Sequence, residues 1–335
     1  MIIKYPKYVF VILLAIAGFL ILIGISSYDN HPKDEPRLVA IATLVSHPAL
    51  DSLLENIKRE LNNQGFLEGS NIRYVVKNAS GQMQLLAGIA KDISGMNPAV
   101  VVAITTPVAQ AMAKETKKKH EKLVFSAVTD PVGAGIMKSL EQPEKLITGA
   151  SDVWPYNDQL KLIKDISPNA KRIVVIFNPG EAASQYGMRF IRQFAPSYNF
   201  KIIEGAVNST NEVFSVAENL SRDADAIFLS SDSTAISGVA AAARVAIKNK
   251  IPLFVGDSGT VEKGGVAAAS IGYDQLGIET GKLVARVLRG EQYIPIVLPD
   301  GKSSIVVNTE AARLMGVKIP HSILRKATVL EKIIQ

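Results

Sequence analysis

Residues 99–107 read AVVVAITTP: six apolar residues, followed by Thr105, Thr106 and Pro107. A continuous apolar run of this length is typical of a strand that is buried on both faces in a parallel sheet. The threonines and the proline suit the start of a helix, because Thr caps helices and Pro fits their first turn. The stretch therefore predicts a strand that leads directly into a helix, which is the repeating unit of an α/β fold.

The same alternation recurs along the chain. Leucines and isoleucines between residues 50 and 61 share one face of a predicted helix, and the stop signal Gly65 follows it. Further helices are predicted over 182–195, 210–222, 235–249 and 274–289. Strands are predicted at 38–45, 72–76, 99–104, 123–127, Arg172–Phe177, Lys201–Ala206, Ala226–Leu229, 252–255 and 266–269. This alternation predicts doubly wound parallel sheets, and so many strands fit two sheets better than one.

The N-terminal segment has the composition of an export signal. Lys4 and Lys7 precede an apolar run over residues 8–25, and small residues follow that run. The run is long for a signal peptide and close to the length of a membrane span, so a cleaved signal and an uncleaved inner-membrane anchor both fit it. Either interpretation places the rest of the chain in the periplasm or another extracytoplasmic space. Residues 1–27 are assigned to this segment, and the polar residues 28–37 to a linker.

The overall composition excludes several classes of protein. The chain has 335 residues, 47% hydrophobic and 20% charged, which suits two globular domains. It has no cysteine, so disulfides, zinc–thiolate sites and lipid attachment through an N-terminal cysteine are excluded. The four histidines show no metal-ligand spacing, and the dense basic run 117–119 fits a solvated helix end better than a nucleic-acid surface. We therefore expect no cofactor, no metal and no nucleic-acid partner.

Polar residues follow the predicted strands at the positions where open α/β sheets bind ligands, beyond the carboxyl ends of the strands. Each of these turns also suits a helix cap, so a structural role stays open for every residue in them. Together they supply hydroxyls and helix N-terminal amides for a carboxylate, and carboxylates for an ammonium group, as a zwitterionic amino acid requires. The candidate ligand-binding residues are Ser46, Thr105, Thr106, Asp130, Asn178, Glu181, Ser231, Asp232 and Asp257.

Two of these turns have an expected chemical role. Thr105 and Thr106 are the candidates for binding an anionic group, because they lie at a predicted helix N-terminus. Asp232 is the candidate for binding an ammonium group, and helix capping is an equally open role for it. Asp130, Glu181 and Asp257 are the alternative residues for the ammonium role.

Motifs of enzymes that use this architecture are absent from the sequence. Neither a Rossmann glycine fingerprint nor a Walker A loop follows any predicted strand. Residues 256–259, GDSG, match the nucleophile region of trypsin-like proteases, but those proteases are β-barrels and no matching histidine motif is present here. An α/β enzyme is therefore a minor alternative. The other alternative is a sensory or regulatory module. A repressor would carry a helix-turn-helix at its N-terminus, whereas this chain has an apolar segment there, so the form that stays open is a membrane-anchored extracytoplasmic sensor module.

Several segments resemble the ABC-transporter substrate-binding family that includes tryptophan- and tyrosine-type receptors. The resemblance covers the chain from Leu38 onward. The matching segments are HPALD (47–51), AITTPVAQA (103–111), FSAVTDPVGAGI (125–136), TGASD (148–152), QLKLIKDISPNAKRI (159–173), IPLFVGD (251–257), GYDQLGIETGKLVARVLRGE (272–291) and VNTEAARLMGVKIP (307–320).

This resemblance implies the type I periplasmic-binding-protein fold, in which two Rossmann-like lobes with parallel sheets are joined by a hinge of three strands. Lobe one is expected at 38–150 plus 262–297, and lobe two at 151–261 plus 298–335. The resemblance also implies that five residues lie at or near a ligand in the cleft: Thr105, Thr106, Asp130, Glu181 and Asp232. The implied function is capture of a small solute without catalysis, and its delivery to an ABC transporter permease and its ATPase subunit.

The chain departs from the family pattern at two places. Ser46 stands where the family often has a glutamate before HPALD, and residues 181–184 read EAAS where the family often has E-x-N-S. Loss of a carboxylate and an amide affects which solute fits. The expected solute is an aromatic or other amino acid.

The export segment is tested by fusing residues 1–37 to a reporter that is active only outside the cytoplasm. We expect a signal from this fusion, because a positive end followed by a long apolar run directs export. A folded, silent reporter that stays in the cytoplasm would contradict the prediction.

Overall fold

The computed structural model describes residues 35–230, 232–298 and 303–334. The chain divides into two units, Met1–Pro36 and Arg37–Gln335, and the described strands and helices belong to the second. The predicted export segment 1–27 and most of the linker 28–37 lie outside the described residues. Within the residues that are described, every helix is too short or too polar to span a bilayer.

The first sheet is parallel and contains β1 (Arg37–Thr43), β2 (Ile72–Asn78), β3 (Val100–Ile104), β4 (Leu123–Val128) and β5 (Ile147–Ser151). Its order is β2-β1-β3-β4-β5, so the winding of the chain reverses between β1 and β3. Every residue of β3 is buried, as its unbroken apolar sequence predicts. The sheet therefore forms the doubly wound lobe expected from the alternating pattern.

The second sheet contains β6 (Arg172–Phe177), β7 (Lys201–Ala206), β8 (Ala226–Leu229), β9 (Leu253–Val255), β10 (Ala267–Ser270), β11 (Ser304–Asn308) and β12 (Thr328–Leu330). Its order is β12-β11-β10-β9-β8-β6-β7, and its winding reverses between β6 and β8. The strands are parallel to their neighbours except that β10 and β11 are antiparallel. Residues of β11 and β12 are largely exposed or half-buried, and neither these two strands nor β5 of the first sheet is among the strands predicted from the sequence.

Helices cover both sheets. The described α-helices are α1 (Pro48–Asn63), α2 (Leu86–Gly95), α3 (Thr106–Lys119), α4 (Tyr156–Ile166), α5 (Ala182–Phe194), α6 (Val213–Leu220), α7 (Ser233–Ser237), α8 (Val239–Asn249), α9 (Tyr273–Leu288), α10 (Thr309–Met315) and α11 (His321–Leu324). The single helix expected over 235–249 is in fact two, α7 and α8, separated by Gly238. An added Cβ at Gly238 would lie 2.6 Å from Val213 Cγ2, so this turn fits closely against α6.

The chain passes between the two lobes at three places: through residues 152–155, through 271–272, and between Val297 and Ser304. Backbone hydrogen bonds tie the first and third passages together, because Ser151 N–H donates to Val297 O and Val297 N–H donates to Gly149 O. The pairing of β10 with β11 ties the second and third. The connection of two lobes by three adjacent segments is therefore confirmed.

One expected lobe boundary needs correction. Residues 262–270 were assigned to lobe one with the helix that follows them, but β10 lies in the second sheet. The strand is buried and held on both sides, by β9 and by β11, so its pairing and not its position in the sequence decides its lobe. The chain returns to the first lobe after residue 270.

The return helix α9 packs closely on α1. Gly277 and Gly281 face α1, and an added Cβ at Gly277 would lie only 2.5 Å from the backbone oxygen of Leu53. The same helix α1 buries Leu53 and Ile57 completely, on the face that the leucine and isoleucine spacing predicts. Two glycines one turn apart therefore let two backbones approach in the first lobe.

Replacing Gly277 by alanine should lower the free energy of unfolding by about 1–3 kcal/mol, since the new methyl group meets backbone that cannot move aside. The matched control is Gly88→Ala, at an exposed position of α2 where no atom lies within 4 Å of an added Cβ. That control should raise stability by about 0.5–1 kcal/mol. Urea unfolding measures both, and equal effects would contradict the packing argument.

Candidate functional site

An open cleft with about 580 Å³ of empty space, part of it continuous with solvent, lies between the carboxyl ends of the two sheets. Apolar side chains such as Leu50 and Ile236 line part of it. Its polar and aromatic lining comes from both lobes and from the passages between them, and consists of His47, Thr105, Thr106, Thr129, Asp152, Trp154, Glu181, Asp232, Ser233, Ser237, Asp257 and Tyr273.

Strand order explains why these residues meet. The winding of each sheet reverses at one point, and ligands in open α/β sheets bind at such switch points. In the first lobe the switch lies between β1 and β3, which His47 and Thr105 follow. In the second lobe it lies between β6 and β8, which Glu181 and Asp232 follow. The cavity therefore joins the switch points of two lobes.

Thr105 presents an unpaired hydroxyl at this place. It precedes α3 and has φ +83°, a backbone conformation that a β-branched residue rarely adopts. The residue is buried, and its Oγ1 has no hydrogen-bond partner. Strain of this kind costs about 1–3 kcal/mol and clusters at ligand sites. The first N–H groups of α3 lack partners within the helix as well, so this end of the cavity offers hydrogen-bond donors.

Asp232 lies opposite, in the second lobe, and caps α7. Its Oδ1 accepts a hydrogen bond from Ala235 N–H at 2.5 Å, as a helix cap does. Its Oδ2 accepts from Asn178 N–H at 3.0 Å and from the Ser184 hydroxyl at 3.2 Å. The capping role considered from the sequence is therefore present, and the same carboxylate also lines the cavity.

Glu181 places a second carboxylate at the same helix end. Its two oxygens accept from Ser233 N–H and Thr234 N–H, each at 3.0 Å, and Oε1 also accepts from the Thr234 hydroxyl at 2.6 Å. Burial, and next the negative charge of Glu181, raise the pKa of Asp232 to about 8. Two buried carboxylates side by side thus make the ionised form of Asp232 costly unless a cation enters the cavity.

A third carboxylate lies where the chain first passes between the lobes. Asp152 accepts hydrogen bonds from the Thr129 hydroxyl at 2.9 Å, from Trp154 Nε1 at 3.2 Å and from the Tyr273 hydroxyl at 3.1 Å. Burial raises the pKa of Asp152, and it also raises the pKa of Tyr273 well above the usual value, with the charges of Asp152 and Asp257 adding to the effect. Tyr273 therefore keeps its proton and joins two passages of the hinge.

The GDSG run has a structural explanation. An added Cβ at Gly256 would lie 1.7 Å from Trp154 Cζ3, and one at Gly259 would lie 2.9 Å from Ala49 N, so both glycines make room for close neighbours. Asp257 accepts a hydrogen bond from Thr260 N–H at 3.1 Å and thereby caps a short 3-10 helix. The run forms a cavity wall with a capped turn, and its resemblance to a protease motif is fortuitous.

The structure brings together only part of the set predicted from the sequence. Thr105, Thr106, Glu181, Asp232 and Asp257 line the cavity. The other described members lie elsewhere: Ser46 is exposed and donates to Asp51, Asp130 pairs with Arg189 at 3.4 Å, and Asn178 is buried and donates to Asp232 and Thr234. Ser231 lies outside the described residues.

The sequence argument missed several lining residues, namely His47, Thr129, Asp152, Trp154 and Tyr273. His47 lies between β1 and α1, next to the candidate Ser46, and Thr129 directly follows β4, next to the candidate Asp130. Asp152 and Trp154 stand in the first passage between lobes, and Tyr273 begins α9 after the second. Asp152 and Tyr273 come shortly after the ends of β5 and β10, so the rule that ligands bind beyond strand ends could have identified them. Among the described residues, no group of three His, Asp or Glu side chains could hold a metal ion.

Comparison with known proteins gives consistent results. The family model described as "ABC transporter substrate binding protein" matches residues 38–330. A tyrosine-binding protein from Clostridioides difficile is 30% identical over 327 residues, which are 94% of this chain and 94% of that protein.

Two solved structures extend the comparison. An ABC domain from Streptococcus pneumoniae in complex with L-Trp is 29% identical, with a TM-score of 0.84 over 89% of this chain and 100% of that one. The ligand-free, open structure of a substrate-binding protein with adhesive properties from Clostridium difficile is 31% identical, with a TM-score of 0.66 over 88% of this chain and 99% of that one.

The carboxylate pair predicts a pH dependence of stability. The pKa of Asp232 is about 8 in the folded protein against an ordinary value of 3.8, so between these values the folded state binds the extra proton. The free energy of unfolding should therefore fall as pH rises from about 4 to 8, by an amount of the order of a few kcal/mol. Urea unfolding of ligand-free protein across this range measures the slope.

Asp232→Asn should flatten that slope, even if its absolute stability is lower. The exposed control Asp51→Asn should leave the slope unchanged. The difference in free energy of unfolding between the wild type and Asp232→Asn should fall from about pH 4 to 8. A difference that stays constant or rises would contradict the raised pKa of Asp232.

Proposed function

Because the chain belongs to the ABC transporter substrate-binding protein family, we propose that it is the solute receptor of an importer and binds a zwitterionic amino acid between its two lobes. The observation that carries this proposal is the buried pair Asp232 and Glu181, which faces a cavity whose described lining includes neither lysine nor arginine. A buried charge without a counterion is unfavourable. The ammonium group of a ligand supplies that counterion.

The carboxylate end of the ligand has suitable partners in the other lobe. Thr105 offers an unpaired hydroxyl, and the N-terminus of α3, which begins at Thr106, offers unpaired N–H groups and the positive end of the helix dipole. An amino acid held by its carboxylate here and by its ammonium group at Asp232 would contact both lobes at once.

The apolar and aromatic walls of the cleft suit an aromatic side chain. The walls there include Val45, Leu50, Trp154, Ile236 and the ring of Tyr273. Aromatic and aliphatic walls of this kind bind ring systems through area burial and favourable ring–ring geometry. The related proteins named as tyrosine-binding and as an L-Trp complex support the same class of solute.

Closure of the two lobes is part of the proposal. A ligand that contacts both lobes binds the closed form better than the open form and so shifts the equilibrium between them. Asp130 of the first lobe pairs with Arg189 of the second at 3.4 Å, as in a closed cleft. The higher TM-score to the L-Trp complex than to the ligand-free open structure supports the same interpretation.

The biological setting follows from the family and from the N-terminal segment. We infer that the receptor acts outside the cytoplasm, held at the inner membrane or released by cleavage, and that it delivers solute to a permease with its ATPase subunit. We expect stoichiometric binding without consumption of the ligand, which separates a receptor from an α/β enzyme.

The test is native mass spectrometry of the purified protein for a co-purified solute, followed by calorimetry with tyrosine and tryptophan. Thr105→Val keeps the shape of the side chain and removes its hydroxyl, and it should weaken binding by about 1–3 kcal/mol because the hydroxyl bonds a charged group. The matched control is Thr116→Val on the same helix, whose buried hydroxyl is also unpaired but lies outside the cavity lining. It should bind as the wild type does. Absence of binding to any amino acid would refute the proposed function, and equal effects of the two variants would refute the role of Thr105.

A further inference from the structure

Two buried polar side chains from opposite lobes face each other across the same cavity without a bond. His47 Nε2 lies 3.8 Å from Asp257 Oδ1, which is too far for a hydrogen bond. His47 Nε2 has no hydrogen-bond partner, and the two residues are 6% and 2% exposed. We propose that His47 and Asp257 form a subsite that binds a hydroxyl group on the side chain of the ligand. This inference rests on the proposed amino-acid-binding function and adds the feature that selects among amino acids.

Strand order places this pair beside the zwitterion site and distinct from it. Asp257 follows β9, which is one strand from β8 and therefore about 4.8 Å along the sheet from the turn that carries Asp232. Glu181 follows β6, one strand further away. In the first lobe His47 follows β1, the neighbour of the strand that Thr105 follows. A side chain attached to an amino acid held at Asp232 and Thr105 can thus reach the gap between His47 and Asp257.

The gap is fixed by backbone packing. The 3-10 helix Ser258–Lys263 follows Asp257, and α1 follows His47. These two elements meet at Gly259, where an added Cβ would lie 2.9 Å from Ala49 N. Residue 259 therefore has no room for a side chain, and the two elements pack closely beside His47 and Asp257. At a separation of 3.8 Å, one ligand oxygen beside the pair can lie within hydrogen-bond distance of both His47 Nε2 and Asp257 Oδ1.

The chemistry of the gap favours a hydroxyl. Asp257 Oδ1 accepts one hydrogen bond from Thr260 N–H at 3.1 Å, and Oδ2 accepts one from the Thr260 hydroxyl at 2.8 Å, so each oxygen can still accept another. A hydroxyl can donate its proton to such a carboxylate and at the same time accept a hydrogen bond from an imidazole N–H. An N–H group can only donate, and a C–H group does neither. The subsite therefore distinguishes a phenol from a phenyl group.

The first arm of the test varies the ligand and leaves the protein unchanged. Calorimetry with tyrosine, O-methyltyrosine and phenylalanine compares side chains that can donate, only accept, or do neither. We expect tyrosine to bind at least ~10-fold more tightly than phenylalanine, because a site built for a hydroxyl leaves buried polar groups unpaired when the hydroxyl is missing. O-methyltyrosine should bind no better than phenylalanine, since it cannot donate to Asp257.

The second arm varies the protein. His47→Phe should lower tyrosine affinity at least ~10-fold and leave phenylalanine affinity equal or higher, so that the preference disappears. His321→Phe is the matched control, because His321 is exposed and lies outside the cavity lining. That control should keep the wild-type preference. If His47→Phe does not fold, as judged by circular dichroism, the ligand series on wild-type protein decides alone.

The outcomes separate the two proposals. Tyrosine and phenylalanine binding the wild type equally well would overturn the subsite while leaving the amino-acid-binding function in place. A loss of both ligands by the same factor in His47→Phe would also overturn it, because His47 would then serve only as an interlobe contact. Failure of every amino acid to bind the wild type would refute the proposed function itself.

Discussion

Pairing of the three passages between the lobes is the constraint on which the rest of the molecule depends. Ser151 N–H donates to Val297 O and Val297 N–H donates to Gly149 O, which ties the first passage to the third, and β10 pairs with β11 across the second and third. These bonds hold the carboxyl ends of two separate sheets toward each other. Each sheet has its switch point there, so the residues after β1 and β3 meet those after β6 and β8. Without this pairing the same turns would only cap helices.

The polar residues of the cleft serve both the fold and the site. Asp232 and Glu181 accept hydrogen bonds from first-turn amides of α7, and Asp257 accepts one from Thr260. These bonds orient the carboxylates and leave each with capacity for a further partner. Because burial raises the pKa of Asp232 to about 8, the charged site is unfavourable until a cation arrives. A cationic group in the cleft would therefore favour the ionised form of Asp232.

Much of the fold could be predicted from local pattern, and less of the site. The unbroken apolar run of β3 identified a buried parallel strand, and the spacing along α1 identified its packed face. Five of the eight described candidate residues line the cavity, because the rule about strand ends is a rule about topology. Ser46 and His47 both follow β1, but only Ser46 is among the candidates and only His47 lines the cavity. The strands β5, β11 and β12 escaped prediction, because they are only three to five residues long and such short stretches do not by themselves identify a strand.

By itself, the sequence determined the α/β class, the order of most elements and the presence of hydroxyl and carboxylate groups at the strand ends, because these depend on residues close together in the chain. Only the tertiary structure decided that β10 belongs to the second lobe, that Asp130 faces Arg189 instead of the cavity, and that His47 stands 3.8 Å from Asp257. Each of these depends on segments far apart in sequence that are brought together by sheet pairing and lobe contact. Local periodicity contains no information about such distances, and so only the folded chain shows which of these residues line the cavity.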